Sequence, residues 1–175
     1  LGRHVYYKGF EYLIRAMRDV PGAVLALGGE GPLTKDLRRA AADAGMAQRV
    51  VFVGRIADAE LPAWYHACDV FCLPSIERAE AFGIAQVEAM ACGKPVVCCR
   101  LDNGVNWVNR DGETGLAVRA ADSRALAGAL TRLQSDAGLR ARLGEGARRR
   151  AFAEFTSEAA ARRTLAVYRE LLSRL

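Results

Sequence analysis

Histidine is nearly absent from this chain, and the spacings that build metal sites are missing altogether. His4 and His66 are the only two, and neither a Cys-x-x-Cys pair nor a mixed Cys/His spacing accompanies them. A zinc site therefore lacks its ligands. Aromatic residues make up 7% of the chain and do not interleave with basic ones, which removes the pattern by which proteins read nucleic acid. No stretch approaches the ~20 consecutive apolar residues of a membrane span, and nothing at the start reads as a secretory signal. There is no internal repeat and no low-complexity linker. The Gly-rich stretch Gly28-Gly29-Glu30-Gly31-Pro32 is followed by Leu33, so a Gly-x-Gly-x-x-Gly dinucleotide fingerprint is not completed. Cysteine is present but odd in number: Cys68, Cys72, Cys92, Cys98 and Cys99 lie mostly in apolar surroundings. Buried reduced thiols of a cytosolic protein account for them better than disulfides do.

What is present is ordinary for a folded protein. The 175 residues are 51% apolar and 26% charged, enough to bury a proper core as one domain. Leu1-Gly2-Arg3 reads as the tail of a strand, so the chain is expected to be a fragment of a longer protein. The net charge of +5 is unevenly placed. Residues 1–136 carry 16 basic and 16 acidic side chains, whereas residues 137–175 carry 9 and 4. A basic helical end can face water or an anionic membrane surface, and both readings stay open. Nucleic acid is not an expected partner.

Hydrophobic spacing orders the rest. Phe10, Leu13, Ile14 and Met17 mark a helix over Lys8–Asp19, and further helices are expected at Leu33–Ala44, Ala59–Ala67 with Asp58 as cap, and Gly83–Cys92, with a short one at Val105–Val108. Short apolar runs at 23–27, 50–53, 69–73, 95–99 and 115–118 read as strands buried on both faces. Beyond Asp122 three helices are expected, over 122–134, 137–153 and 157–173, the last with Ala161, Leu165, Tyr168, Leu172 and Leu175 on one face. Strands alternating with helices imply an α/β fold, a Rossmann-like doubly wound parallel sheet, with a helical C-terminal extension from about 122 to 175.

The chemistry concentrates in Pro74–Glu88. A strand stops at Pro74, a loop carries Glu77 and Glu80, and a helix opens near Gly83. The free N–H groups and positive dipole end of such a helix suit a phosphate. Glu88 sits about 7–8 Å further along the axis, so two carboxylates straddle an anion site. Taken singly, Glu80 merely suits a helix start and Glu88 a solvated face. The whole string, with seven residues between Glu80 and Glu88, Phe82-Gly83 among them and Pro74-Ser75 before, resembles the retaining GT-B glycosyltransferases of the glycosyl transferase group 1 family (family 4 type).

The resemblance extends along the chain. Gly2-Arg3, four residues, then Lys8-Gly9 is similar to the family's basic turn, which implies that Arg3 and Lys8 grip a donor diphosphate and stabilise it as leaving group. Gly28–Pro32 resembles the family's Gly-rich turn, and Gly54-Arg55-Ile56 its segment beside the nucleobase. Asp69, Pro74, Ser75, the Gly93–Val97 turn and the Asp111–Gly115 turn match as well, with structural roles sufficient to explain them. The implied catalytic residues are Glu80, on the donor sugar, with Arg3 and Lys8. The implied donor contacts are Gly2, Arg55, Ile56, Phe82, Gly83 and Ile84, largely through main chain, and Glu88 on the ribose. No Asp-x-Asp is present, so no metal and no cofactor is implied; the donor is a UDP- or GDP-sugar. The segment Arg100–Arg110, with Asn103, Asn106 and Trp107, departs from the family pattern and carries no implied contact. The resemblance covers one half of a GT-B architecture. It implies a partner N-terminal domain in the same protein, a hydroxyl acceptor on a glycan or lipid-linked molecule, and work in the cytoplasm or at the inner face of its membrane. Another GT-B enzyme, such as a phosphorylase or sugar-nucleotide epimerase, and a non-catalytic nucleotide-binding or membrane-docking module remain open.

Overall fold

The structure, a computed structural model, describes residues 1–174; Leu175, placed above on the apolar face of the last helix, lies outside them. Five strands alternate with helices along the first two thirds of the chain. In order they are α1 (Phe10–Ala16), β1 (Leu25–Gly28), α2 (Thr34–Asp43), β2 (Val50–Gly54), α3 (Leu61–Ala67), β3 (Phe71–Leu73), α4 (Ile84–Ala91), β4 (Val96–Arg100), α5 (Gly104–Val108) and β5 (Gly115–Arg119). Three helices follow: α6 (Ser123–Ser135), α7 (Ala137–Glu154) and α8 (Ser157–Leu172). All strand pairs are parallel. This is the α/β Rossmann-like arrangement that the alternation implies, with helices on both faces of the strands.

The hydrogen-bonded strands fall into two groups, β1–β2 and β3–β4–β5. The gap between β1 and β3 interrupts what the sequence suggests is one sheet. Leu1–Arg3 is not the strand tail expected there. The Gly2 N–H donates to the Gly28 carbonyl at 2.9 Å, and Leu1 packs against the core beside Gly28.

Packing follows the periodicities. On one face, Phe10 and Ile14 of α1 and Leu37 of α2 close over Leu27 and Val50. Leu126, Leu133 and Leu143 from α6 and α7 cover Val97 and Leu116. On the other face, Met90 of α4 and Val105 and Val108 of α5 close over Leu73, Val96 and Cys98. Leu133, Leu143 and Met90 are fully enclosed, and each such side chain contributes about 1.5–3 kcal/mol by leaving water. Burial pushes the thiols of Cys98 and Cys99 up to about 11 and about 12, so these cysteines act as small apolar side chains.

Two helix starts differ from expectation. The first helix begins at Phe10, not Lys8, because Gly9 adopts a left-handed conformation (φ 63°) and places Lys8 in a separate 3-10 turn, Tyr6–Lys8. Asp58 does not cap α3; Glu60 occupies that position without a side-chain bond, and Asp58 contributes only its carbonyl to the Leu61 N–H. Along α8 the expected apolar face exists but packs on little: Leu165, Tyr168 and Leu172 are exposed, with only Ala159 buried. Among the described residues no helix is long and apolar enough to cross a membrane.

Candidate functional site at the strand ends

The C-terminal ends of the strands carry the residues implied as catalytic and as donor contacts, whereas Asp69 and the Gly93–Val97 and Asp111–Gly115 turns lie at strand starts. In a parallel α/β fold this rim collects the strand-to-helix loops, and it is where such folds bind ligands. Two glycines shape it. At Gly9 a Cβ would overlap the Pro74 carbonyl oxygen and come within 2.9 Å of Ile76. The loop after Lys8 can therefore lie flat against the exit of β3. Gly83 is the N-cap of α4 in a left-handed conformation (φ 74°), and a Cβ there would come within 2.6 Å of Leu73. With no side-chain cap on α4, the first N–H groups of its opening turn have no intrahelical acceptor and face the rim.

Glu80 is the centre of the arrangement. It is 8% exposed, and its carboxylate accepts a charge-assisted hydrogen bond from the Lys8 ammonium, 72 residues away in sequence. The Ser75 hydroxyl, fully buried, donates to the same oxygen at 2.9 Å. Asn103 donates to the Glu80 carbonyl at 2.7 Å while its own side-chain oxygen caps α5. Glu77, the second carboxylate in the loop, is separated from this cluster. It is exposed and accepts from the Tyr6 hydroxyl at 2.8 Å, which raises the Tyr6 pKa above its ordinary value. The loop thus presents one enclosed carboxylate and one solvated one.

Glu88, in the second turn of α4, accepts from the Tyr65 hydroxyl at 2.6 Å. Burial, and then this bond to the carboxylate, push the Tyr65 phenol well above its usual range, so it stays a donor. Gly2 belongs to the same rim: a Cβ there would lie 3.6 Å from Lys8 Cε and Nζ. Its neighbour Arg3 is exposed, and its guanidinium makes no ion pair or hydrogen bond among the described residues. The loop is tied down beyond it, where the His4 N–H donates to the Glu30 carbonyl and the His4 ring bonds the Thr34 hydroxyl at 2.9 Å. Gly29 N–H donates to the Gly54 carbonyl at 2.7 Å, and Ile56 packs at the position a Gly28 Cβ would take. Arg55 and Ile56 therefore border the same rim as Gly2. Ile84 is exposed at the start of α4, whereas Phe82 turns into a cluster with Trp107 and Phe155 at 6.1 and 5.9 Å. Phe82 has only its backbone to offer a ligand.

Three contributors were not read as site residues from the sequence. Ser75 was explained as a strand exit. Asn103 lies in a loop matching no pattern, 23 residues from Glu80. Tyr65 looks like one more apolar position of α3, and only a polar tip at a buried position could have marked it. Among the described residues no group of three His, Cys, Asp or Glu side chains could hold a metal ion.

A Rossmann-like lobe with a buried carboxylate and a lysine at an open helix start defines a class, one lobe of a GT-B glycosyltransferase. The chain belongs to the family of glycosyl transferases group 1, whose sequence profile matches residues 1–150. It is 41% identical over 145 residues to the GDP-mannose-dependent alpha-(1-6)-phosphatidylinositol monomannoside mannosyltransferase of Mycolicibacterium smegmatis, covering 78% of this chain and 38% of that protein. Among solved structures it is similar to Anabaena HepE in complex with UDP-glucose, with TM-score 0.88 and 28% identity over 100% of this chain and 48% of that one. It is also similar to the C-terminal domain of the glycosyl transferase group 1 family protein LpcC of Francisella tularensis. There the TM-score is 0.80 and the identity 28%, over 90% of this chain and 84% of that domain. The chain spans less than half the length of the curated relatives it matches.

Proposed function

We propose that residues 1–175 form the nucleotide-sugar-binding domain of a two-domain retaining glycosyltransferase. The parent moves a sugar from a UDP- or GDP-sugar to a hydroxyl of a glycan or lipid-linked acceptor, in the synthesis of surface glycan, lipopolysaccharide or glycolipid. The observation that carries this reading is the contact between Lys8 and Glu80 at the open start of α4. One cation and one carboxylate, touching in a sheltered spot, separate two tasks over a short distance. The diphosphate lies against Lys8, Arg3 and the N–H groups of Gly83 and Ile84, where the helix end and two cations stabilise it as it departs. Glu80 faces the sugar on the other side, where positive charge develops at the reacting carbon. Donor binding draws Lys8 from Glu80 toward the diphosphate and frees carboxylate oxygen for a sugar hydroxyl. Glu88 accepts from the ribose while Tyr65 holds its second oxygen. Main chain around Arg55 and Ile56 borders the base. The relatives that use GDP-mannose and bind UDP-glucose support a nucleotide-sugar donor.

An N-terminal domain of the same protein supplies the acceptor side and closes over the donor; alone, this domain binds donor and turns over little. Peripheral contact with the inner face of the cytoplasmic membrane is supported by α8, which exposes Leu165, Tyr168 and Leu172 beside Arg162, Arg163 and Arg169.

Calorimetric titration with UDP, GDP and ADP tests the site. One of the three is expected to bind, and the Arg3→Ala/Lys8→Ala double variant to bind on the order of 100-fold more weakly, as the loss of two charge-assisted contacts implies. Unchanged binding in the double variant, or no binding even by the two-domain protein, would refute the assignment. Tyr65→Phe is expected to weaken nucleotide binding by about 3–10-fold, the value of one hydrogen bond to a charged group partly replaced by water, and to leave the affinity for inorganic diphosphate unchanged. An equal loss for both ligands would place the role of Tyr65 in stability and not on the ribose side.

A further inference from the structure

The backbone from Glu80 to Phe82 rests on α5 at every carbonyl. Asn103, the N-cap of α5, donates its side-chain N–H to the Glu80 carbonyl at 2.7 Å. A Cβ on Gly104 would overlap the Ala81 carbonyl oxygen and come within 3.3 Å of the Phe82 ring, so the loop lies flush on the first turn of α5. The Gln86 side chain, fully buried, donates to the Phe82 carbonyl at 2.7 Å and to the Val105 carbonyl at 3.2 Å. α5 is therefore a wedge behind the stretch that presents Glu80 and the open start of α4. At five residues it cannot hold its own shape. So short a helix forms few internal bonds and leaves its last carbonyls without partners of their own.

Those carbonyls end on Arg150 of α7. Its Nη2 donates to the Trp107 carbonyl at 2.7 Å and its Nε to the Val108 carbonyl at 3.0 Å, while Glu154 accepts from Nη1. The guanidinium is buried and lies 5.5 and 5.3 Å from the ring centres of Trp107 and Phe155. The same two rings pack on the Phe82 ring, so Arg150 bears on the loop through the backbone of α5 and through this aromatic cluster. Burying a guanidinium against one carboxylate is a poor route to stability, since an apolar side chain of similar volume often does as well. What its planar fork supplies is geometry, two carbonyls and a carboxylate held by one rigid group. We infer that Arg150 is a positioning residue for the donor loop, acting through α5 to set where Glu80 and the Gly83 and Ile84 N–H groups stand. The inference rests on the reading of that rim as the donor site. The adjacent Arg149 is exposed and pairs with Glu145 at 2.7 Å, which makes it the control.

The test uses the two-domain protein. Arg150→Lys keeps the charge beside Glu154 and loses the fork, whereas Asn103→Ser keeps a capping oxygen for α5 and loses the donor to Glu80. Each is expected to lower turnover on the order of 10–100-fold, the scale of a small misplacement at a reacting centre. The double variant should stay within about threefold of the less active single one, because both loosen the same wedge. Arg149→Lys should leave turnover unchanged. Turnover of Arg150→Lys within about twofold of the parent, with only a lower melting temperature, would make Arg150 purely structural and overturn the inference. Losses that multiply in the double variant would overturn it too, by placing Arg150 outside the path through α5. Amide hydrogen exchange without ligand separates the inference from the donor reading. In Arg150→Lys the Glu80 and Gln86 amides, bonded to the Glu77 and Gly83 carbonyls at 3.1 and 2.9 Å, should speed up at least about tenfold more than those of Val97 and Cys98 in β4. Equal acceleration at all four would overturn the inference and leave the donor reading intact. Selective loosening in a protein that binds no nucleoside diphosphate would uphold the grip of Arg150 on the loop and refute the donor reading instead.

Discussion

Glu80→Ala in the two-domain protein is expected to lower turnover on the order of 10²–10³-fold, the loss typical of removing one preorganised electrostatic group at a reacting centre. Nucleoside diphosphate affinity is expected to stay within about threefold, because the diphosphate is assigned to Lys8, Arg3 and the α4 N-terminus and not to Glu80. Free of its carboxylate partner, Lys8 has no competitor for the phosphates. The split between rate and binding is the informative readout, since the Lys8–Glu80 contact would by itself predict that both fall together. The substitution also strands the buried Ser75 hydroxyl and a lysine side chain that is only 16% exposed, at a cost of about 1–3 kcal/mol in stability. Circular dichroism at the assay temperature checks that the loss is not unfolding, and Glu80→Gln, which keeps the Ser75 bond, serves as the conservative partner. Comparable, mild losses in turnover and binding would remove Glu80 from its role on the sugar.

Gly9→Ala is expected to be strongly destabilising for the addition of one methyl group. The left-handed backbone costs a non-glycine residue about 1–2 kcal/mol, and overlap with the Pro74 carbonyl adds about 1–3 kcal/mol of forced displacement. At about 2–4 °C per kcal/mol for a chain of this size, the melting temperature should fall by about 10 °C. Gly45→Ala supplies the control. Gly45 has nearly the same conformation (φ 70°), but no atom lies within 4 Å of its added Cβ, so only the backbone part is lost. Because Gly9 follows Lys8 directly and bears on the exit of β3, the Gly9 variant should also lose nucleotide affinity, which the Gly45 variant should keep. Equal destabilisation by the two substitutions would show that the approach to Pro74 does not constrain the loop.

The sequence by itself determined the elements and marked candidate site residues. Alternating short apolar runs and helical spacings located all five strands and all the helices of α1–α8 to within a few residues, because buried strands and amphipathic helices imprint their periods locally. The spacing of Glu80 to Glu88, and of Arg3 to Lys8, was equally local and pointed to one rim. Tertiary structure decided which groups touch. Lys8 meets Glu80 across 72 residues of chain, and nothing near either residue encodes that contact. Glu77 and Glu80 look alike in sequence, yet one is solvated and the other enclosed, because Ser75, Lys8 and Asn103 converge only on the second. Tyr65 entered the site through its hydroxyl while its ring stayed in the core, which an apolar periodicity cannot distinguish from any buried aromatic. The break between β1 and β3 was likewise invisible, since strand order is a property of long-range pairing: each strand reads the same whether its neighbour is present or not.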